Sequence, residues 1–448
     1  MACGDAGAGA RTRVRDREGQ GWNVTQTLRE VGPAPSTALI FRERTQLAGA
    51  VLLAVVAPFI ARFGLDQGVR IWDQSSTSLL VLLAILGSHV FVKSFARYPG
   101  QDPFATVLPA VTVSFAVVLG FITAGHFDYS RSLIAAGYGM TVVWYGGLAL
   151  LRERTLKPRL AVIPFGTAHD ITPLKKADWW VLRDPAGSIP PHTVDGVVTD
   201  LSVKLGNDWE DLVVRCATQG IPIYDSTLTR EFMTGEVDLV HAGDIGVDAL
   251  HPQRNYLNIK YAIDFLAAIA ALLVVLPVLA VTCLIIKLES AGPAFFVQKR
   301  VGYRGQLFNC YKLRSMHVNA ASMGPGFTTS GDPRVTRVGR FIRKYRVDEL
   351  PQVFNILKGE MSWIGPRPEA QQLAEEYERN IPYYAFRHSV KPGITGWAAI
   401  RQGNVAEVAE ATRKLRNDFF YIKNISASLD AFITVKTVWI MLSGFGSK

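Results

Sequence analysis

Long apolar runs separated by short polar stretches dominate the first third of the chain. Four of these runs approach the ~20 residues that a helix needs to cross a hydrocarbon core of ~30 Å. They are Leu47–Phe63, Ser76–Val92, Phe104–Ala124 and Leu133–Leu151. The pattern predicts an α-helical membrane bundle over residues 46–152, preceded by a basic arm, residues 1–45, that we expect to be disordered.

Basic residues gather on alternate sides of the predicted spans. Arg42 and Arg44 precede the first span, Lys93 and Arg97 follow the second, and a basic group begins at Arg152 after the fourth. Cytoplasmic loops of membrane proteins are enriched in Lys and Arg. The distribution therefore predicts a cytoplasmic N-terminus, four spans, and a cytoplasmic location for the rest of the chain.

Residues 158–245 have the pattern of a small soluble α/β domain. Strands are predicted at Leu160–Pro164, Trp179–Leu182, Val194–Val198 and Ile221–Tyr224, and a helix at Asp208–Gln219. The alternation of strands and helices indicates a parallel, Rossmann-like sheet. Gly166 stands alone after the first strand and no GxGxxG follows it, so we do not expect a dinucleotide site there.

A fifth apolar segment, Tyr261–Ile286, is long enough to span the membrane. Basic residues flank both of its ends, beginning with Lys260 and Lys287, and Pro277 lies inside it. Proline removes a backbone donor and kinks a helix. We therefore expect a re-entrant helix that enters and leaves on the cytoplasmic face. The alternative is an ordinary fifth span, which would put the C-terminal domain outside.

Composition agrees with a membrane protein that binds anions. Hydrophobic residues make up 49% of the chain and charged residues 19%, and the formal net charge is +10. The four cysteines are far apart with no CxxC pair, which argues against a structural zinc site or a disulfide framework. Because basic residues interleave with membrane segments and no recognition module is present, a nucleic-acid partner is not expected.

The densest chemical signal runs from Asp332 to Glu369 and contains the adjacent acids Asp348 and Glu349. They precede an apolar helical pattern, Leu350–Leu357, for which Asp348 is a suitable N-cap. A helix N-terminus attracts phosphoryl groups. One carboxylate can attack phosphorus to form an acyl phosphate, and the other can hold Mg²⁺.

Four stretches in the second half of the chain resemble the bacterial sugar transferase family, the monotopic phosphoglycosyl transferases. They read AGPAFFVQKRVGYR from Ala291, YKLRSM from Tyr311, the Asp332–Glu369 run, and KPGITGW from Lys391. With the membrane segment before them they cover Tyr261–Trp439. The four spans and the α/β insert resemble the large subclass of this family.

The fold class implied is a membrane protein with an α-helical N-terminal bundle, a small Rossmann-like α/β insert and a mainly α catalytic domain. That catalytic domain would cover residues 258–448 and contain the re-entrant helix 261–286.

The resemblance implies transfer of a hexose 1-phosphate from a UDP-sugar to undecaprenyl phosphate, with release of UMP. It implies Asp348 as the nucleophile that forms a phospho-aspartate, and Glu349 as its partner and a ligand of Mg²⁺. We expect UDP-glucose or UDP-galactose as donor. The setting would be the cytoplasmic face of a bacterial inner membrane, at the priming step of exopolysaccharide or capsule synthesis; a homo-oligomer is left open.

Basic residues in the matched motifs are the candidate substrate ligands. Lys312, Arg314 and Arg343 offer counter-charge for a diphosphate sugar, as do Arg340 and Arg346. The turn Pro366-Arg367-Pro368 is stiff and aims one guanidinium, and in similar enzymes it is thought to contact the nucleotide. We therefore take Lys312, Arg314, Arg343, Pro366 and Arg367 as the substrate-binding set.

Two positions depart from the family pattern. The family usually has Ser-Pro at the helix break, where this chain has Leu276-Pro277, and often Ala-Gln after GITGW, where it has Ala398-Ala399. Other hypotheses are a non-catalytic membrane scaffold for polysaccharide assembly and an oxidoreductase or epimerase that uses the insert. The intact Asp348-Glu349 pair argues against the first, and the missing GxGxxG against the second.

Overall fold

The structure is a computed structural model, and eight stretches of the chain account for nearly all of what it describes. These are residues 39–65, 71–95, 103–155, 157–186, 193–238, 254–318, 332–402 and 408–443, with residues 189 and 320 besides. Most of the predicted basic arm lies outside them. Its end is already ordered, since the first helix begins at Glu43.

Four helices form the N-terminal bundle at the predicted places. Helix α1 joins Glu43–Val51, a π-helical turn at Leu52–Val56, and Ala57–Leu65. Helices α2, α3 and α4 are Ile71–Phe95, Pro103–Ala124 and Arg131–Thr155. All four are long and apolar enough to cross a membrane. Small residues lie at their crossings, as is usual in membranes, and Gly137 of α4 leaves no room for a side chain against Val81.

The α/β domain has the predicted parallel sheet. Its strands are β1 (Arg159–Val162), β2 (Asp178–Val181), β3 (Gly196–Thr199) and β4 (Ile223–Asp225). They are all parallel, in the order β2-β1-β3-β4. Helix α5 (Asn207–Thr218) precedes β4, and α6 (Ser226–Thr234) follows it.

The fifth apolar segment is longer than predicted. Helix α7 runs from Arg254 to Glu289 and continues through Pro277. Its candidate membrane-spanning segment, Tyr256–Glu289, has 34 residues. As a helix this segment is about 50 Å long, well beyond a ~30 Å hydrocarbon core. The first turns are enclosed by protein, because Lys260 is buried between the carboxylates of Asp264 and Asp430. Re-entry at Pro277 stays a prediction.

The catalytic domain surrounds the end of α7 with short elements. Strands β5 (Phe295–Val301) and β6 (Leu307–Leu313) form an antiparallel hairpin, and β7 (Ser362–Ile364) pairs in parallel with β8 (Gly393–Thr395). The helices are α8 (Arg337–Lys344), α9 (Val353–Leu357), α10 (Gln371–Asn380), α11 (Trp397–Arg401), α12 (Val408–Lys423) and α13 (Ala427–Ser443).

The core of this domain is centred on α12. Phe419 and Tyr421 are fully buried there, beside residues of β7, α10 and α13. Helix α13 also packs against α3 of the membrane bundle. The catalytic domain is therefore fixed to the membrane segments at two places, through α7 and through α13.

Candidate active site

The two acidic residues lie in a tight turn between α8 and α9. Arg346 adopts a left-handed backbone conformation, with φ of 54°, and the 3-10 helix Val347–Gln352 starts directly after it. Asp348 and Glu349 occupy the first turn of that helix, and both are buried. The predicted N-cap role of Asp348 is wrong, because Arg346 holds the cap position and no side chain caps the turn.

A buried amide fixes this turn to the β5–β6 hairpin. Asn355 of α9 is fully buried, and its Nδ2 donates to the carbonyl of Asn309 at 2.7 Å and to Glu360 at 2.6 Å. Its Oδ1 accepts from the backbone N–H of Tyr311 at 3.2 Å. The acidic turn is thereby held beside Lys312, the next residue of β6.

Glu349 is surrounded by cations. The Arg367 guanidinium donates to both of its oxygens, Lys312 Nζ lies 3.3 Å from Oε1, and Arg346 Nη1 lies 3.7 Å from Oε2. Burial alone would raise the pKa of this carboxyl, yet the charges of Arg367 and Lys312 outweigh it and hold the pKa well below its usual range. Glu349 is therefore an anion at neutral pH, and in turn it raises the pKa of Arg367.

Asp348 has the opposite environment. Its side chain is only 9% exposed, and none of the residues that the structure describes gives its carboxylate a hydrogen bond or an ion pair. Burial, and next the charge of Glu349, raise its pKa to about 6, although Lys312, Arg367 and Arg343 act against the shift. Perturbed carboxyls of this kind are typical of functional sites.

A buried arginine, Arg387, and a half-buried one, Arg300, hold the Pro366-Arg367-Pro368 turn by its backbone. Arg387 Nη2 donates to the carbonyl of Arg367 at 2.8 Å and to Asp418 Oδ2 at 2.8 Å. Arg300 Nη1 donates to the carbonyl of Pro368. The guanidinium of Arg367 is left to face Glu349.

The KPGITGW loop supports the same turn from the other side. Gly365 N–H donates to the carbonyl of Thr395 at 2.9 Å, and Gly393 N–H donates to that of Pro366 at 3.0 Å. The backbones are so close that a Cβ on Gly393 or Gly396 would overlap Gly365. Glycine, which has no Cβ, permits this close approach of the two backbones.

The other predicted substrate ligands lie at different distances from the acids. Arg343 has its Nε on the hydroxyl of Ser315 at 2.8 Å and is close enough to Asp348 to affect its pKa. Arg314 instead donates to the carbonyls of Ala291 and Ser290, at 2.9 and 2.7 Å. Its substrate-binding role stays a prediction, and the contacts it makes are those of a helix C-cap for α7. Arg340 is exposed.

Three residues of this site were not singled out from the sequence. Arg300 stands in the matched AGPAFFVQKRVGYR stretch, which was a usable signal for it. Asn355 stands in the matched Asp332–Glu369 run, which was a signal of the same kind. Arg387 carried none, because a lone arginine outside the matched stretches is ordinarily a surface residue.

A magnesium ion fits this site only as a partner of the substrate. Among the described residues, no group of three or more His, Cys, Asp or Glu side chains stands together. Mg²⁺ usually takes one or two carboxylates and completes its shell with phosphates and water. Asp348, which has free acceptor positions, and Glu349, whose oxygens accept from Arg367 and Lys312, supply such a pair.

Comparison with known proteins agrees with this geometry. The pattern of the bacterial sugar transferase family matches residues 255–444. The UDP-N-acetylgalactosamine-undecaprenyl-phosphate N-acetylgalactosaminephosphotransferase of Aeromonas hydrophila is 37% identical over 400 residues, which cover 89% of this chain and 94% of that protein.

Other relatives align over a smaller share of this chain. An undecaprenyl-phosphate glucose phosphotransferase of Komagataeibacter xylinus is 42% identical over 40% of this chain and 35% of its own length. A UDP-glucose:undecaprenyl-phosphate glucose-1-phosphate transferase of Escherichia coli is 41% identical over 42% of this chain and 41% of its own length. This chain therefore belongs to the bacterial sugar transferase family, and it is a sugar phosphotransferase.

Proposed function

We propose that the protein transfers a sugar 1-phosphate from a UDP-sugar to undecaprenyl phosphate through a phospho-aspartate on Asp348. The observation that carries this proposal is the contrast between the two adjacent carboxylates. Glu349 is held by cations, whereas Asp348 is nearly buried and has no partner among the described residues. A carboxylate without a partner is free to attack.

The reaction takes place in two displacements at one phosphorus. An oxygen of Asp348 attacks the β-phosphorus of the UDP-sugar, the bond from that phosphorus to the bridging oxygen breaks, and UMP leaves with the electron pair. An oxygen of undecaprenyl phosphate then attacks the acyl phosphate. The carboxylate of Asp348 is regenerated and the lipid carries a sugar diphosphate, so ping-pong kinetics are expected.

The cations around Glu349 act on the charge of the substrate. Lys312 and Arg367 each have donors beyond those used for Glu349, and guanidinium groups bind phosphate oxygens in a bidentate manner. Arg343 adds a charge near Asp348. When bound at Asp348 and Glu349, Mg²⁺ would neutralise charge on the diphosphate.

The comparisons favour an N-acetylated sugar as the first donor to test. The Aeromonas hydrophila relative, which aligns over the α/β domain as well, is named for UDP-N-acetylgalactosamine. The glucose enzymes match over only 40% and 42% of this chain. UDP-glucose and UDP-galactose, the donors expected from the sequence, therefore come second.

The cellular role that fits is the priming step of surface polysaccharide synthesis. A relative in Rhizobium leguminosarum, 39% identical over 188 residues, is named an exopolysaccharide production protein. Within the part of the chain that the structure describes, five helices are long and apolar enough to cross a membrane. We place the site on the cytoplasmic face of the bacterial inner membrane, where nucleotide sugars are made.

The test is UMP release by the full-length protein in lipid nanodiscs, with undecaprenyl phosphate, Mg²⁺ and one UDP-sugar at a time. We expect release that depends on the lipid, and its loss by at least about a thousandfold in Asp348→Asn, since the nucleophile is removed. Asp170→Asn, at an exposed position of the α/β domain, should behave as wild type. If folded wild-type protein releases no UMP with any UDP-sugar, the transferase proposal is contradicted and the non-catalytic scaffold hypothesis is favoured.

Metal dependence is tested in the same assay. Removing divalent ions with EDTA should abolish UMP release, and adding Mg²⁺ should restore it, because the ion would supply the charge neutralisation that the diphosphate needs. Full activity after EDTA treatment and dialysis would exclude the proposed magnesium role.

A further inference from the structure

The α/β domain contacts the catalytic domain through a well-defined interface around Gly235 and Trp397, which we call the joint. Helix α6 ends at Thr234, and its C-cap is Gly235, whose φ of 68° lies in the left-handed region. The carbonyl of Gly235 accepts a hydrogen bond from the indole Nε1 of Trp397 at 2.8 Å. The guanidinium of Arg401 lies over the Trp397 ring, 5.1 Å from its centre.

Charged pairs complete this joint. Glu231 of α6 is 2% exposed, and its two oxygens accept from Lys423 of α12 at 3.0 and 2.8 Å. Next to it, Arg413 pairs with Glu236 at 2.9 Å, and the backbone N–H of Val237 donates to the carbonyl of Arg416 at 3.1 Å. A buried ion pair across two domains fixes their register, because neither charge tolerates the loss of its partner.

The joint meets the catalytic domain at the loop that supports Arg367. Trp397 directly follows Gly396, whose backbone touches that of Gly365. Gly365 precedes Pro366 and Arg367, and Arg367 Nη1 also approaches the carbonyl of Ile394 at 3.4 Å. A continuous set of close contacts therefore runs from the α/β domain to the guanidinium that holds Glu349.

We propose that the α/β domain positions the active site in cis: by holding Trp397, it fixes the KPGITGW loop and thereby the Arg367 turn against Glu349. Trp397 and Gly235 are positioning residues, since neither touches the acids. This inference rests on the proposed function, and it assigns the insert a part in the reaction that does not require a nucleotide or a partner protein.

The first experiment compares two glycines that have the same backbone conformation. At Gly235 a Cβ would overlap Arg401 and lie 2.8 Å from the Trp397 ring, so Gly235→Ala should push the joint apart. Gly220, with φ of 76°, has nothing within 4 Å of its Cβ position, so Gly220→Ala adds the same backbone strain without the clash.

UMP release is measured with both variants in nanodiscs, and their melting temperatures are compared. We expect Gly235→Ala to lower kcat about tenfold with little change in KM for the UDP-sugar, because small misplacements of catalytic groups are costly. Gly220→Ala should stay within about twofold of wild type in kcat at a similar loss of melting temperature. Equal kcat for the two variants would overturn the proposal.

A second pair tests the hydrogen bond itself. Trp397→Phe removes the donor to Gly235 and keeps an aromatic ring next to Phe420. Trp179→Phe removes an equivalent indole bond, 2.6 Å to the carbonyl of Leu174, inside the α/β domain. The proposal requires that only Trp397→Phe lowers kcat. This pair also decides the matter if Gly235→Ala does not fold.

The route through Arg367 is tested by a double-mutant cycle. If the joint acts through Arg367, Trp397→Phe should lower kcat much less in an Arg367→Lys background than in wild type. If the fold-losses in kcat of the two single variants simply multiply in the double variant, the joint does not act through Arg367 and its role is only structural. An inactive wild type would contradict the proposed function, whereas an active wild type with independent effects would contradict this inference alone.

Discussion

Asp348 and Glu349 are neighbours in sequence, yet their surroundings give them different protonation behaviour. Arg367 and Lys312 keep Glu349 ionised, whereas burial raises the pKa of Asp348 to about 6. Carboxyl pairs with separated pKa values often have separate roles in catalysis. Of the two carboxyls, Asp348 has the pKa closer to neutral pH, and it is the one that we propose as the nucleophile.

This separation predicts a pH dependence for the first half-reaction. The ionised fraction of Asp348 rises with pH, so the rate of UMP formation in a single turnover without lipid should climb as the pH passes about 6 and then level off. Omitting the lipid removes the titration of its own phosphate from the profile. A rate that stays flat from pH 5 to 8 would contradict the assignment.

At the residue scale, the sequence predicted the parts of the site that carry a pattern. Asp348, Glu349, Lys312 and Arg367 lie together, as their motifs indicated. Arg314 was expected with them because its motif was matched, but its donors are used on backbone carbonyls. A matched motif identifies the residue, but it does not predict which groups the end of a long side chain will contact.

At the scale of elements, the Arg367 turn depends on a buried ion pair. Arg387 and Asp418 are 3% and 2% exposed, and Arg387 also donates to the Arg367 carbonyl. Removing one member of such a pair leaves an uncompensated charge, which costs about 3–5 kcal/mol. Burial raises the pKa of Asp418, and the charge of Arg387 acts against that shift.

We predict that Arg387→Met lowers the free energy of unfolding by about that amount and that Arg387→Met with Asp418→Leu recovers much of it. Chemical denaturation of the detergent-solubilised protein measures both. Activity should not recover in the double variant, since the Arg367 carbonyl still lacks its donor. Recovery of stability and kcat together would show that Arg387 has no positioning role.

Regular elements were predicted better than irregular ones. The four strands of the insert and the apolar helices follow from hydrophobic periodicity. The 3-10 turn at Val347–Gln352 did not, because its start depends on the left-handed conformation of Arg346, a residue type that rarely adopts it. Helix α7 is longer than its apolar run because its first turns are enclosed by protein, where Lys260 and Asp264 are paired.

At the scale of the whole molecule, topology follows from the charges that flank the helices. If the predicted cytoplasmic N-terminus and the predicted re-entry of α7 are correct, the α3–α4 turn lies outside and the β5–β6 turn lies in the cytoplasm. Asp128 and Gln306 are exposed residues of these two turns. They provide a matched pair of reporter positions.

We predict that a membrane-impermeant maleimide labels Asp128→Cys in spheroplasts of a cysteine-free background and labels Gln306→Cys only after the membrane is permeabilised. UMP release by each variant shows that it is folded. Labelling of Gln306→Cys in intact spheroplasts would mean that α7 crosses the bilayer as an ordinary fifth span.

The arrangement of the domains was beyond sequence reasoning. Gly235 and Trp397 are far apart in the chain, and each looks unremarkable in its own segment. Their contact depends on the shape of two folded surfaces, and hydrophobic periodicity contains no information on that.

The guanidinium of Arg314, the residue directly after β6, donates to the carbonyls of Ser290 and Ala291 just beyond the end of α7. Helix ends leave carbonyls without partners, and Arg314 Nη2 also approaches one such carbonyl of α7, that of Ile286, at 3.5 Å. Glu289, the last residue of α7, accepts from the backbone of Val338 in α8 at 3.1 Å. On the proposed function and with the predicted re-entry of α7, these contacts would hold the two carboxylates at a fixed height above the bilayer. The enzyme would then recognise the lipid phosphate by its height above the bilayer. We expect it to use prenyl phosphates of different chain lengths equally well.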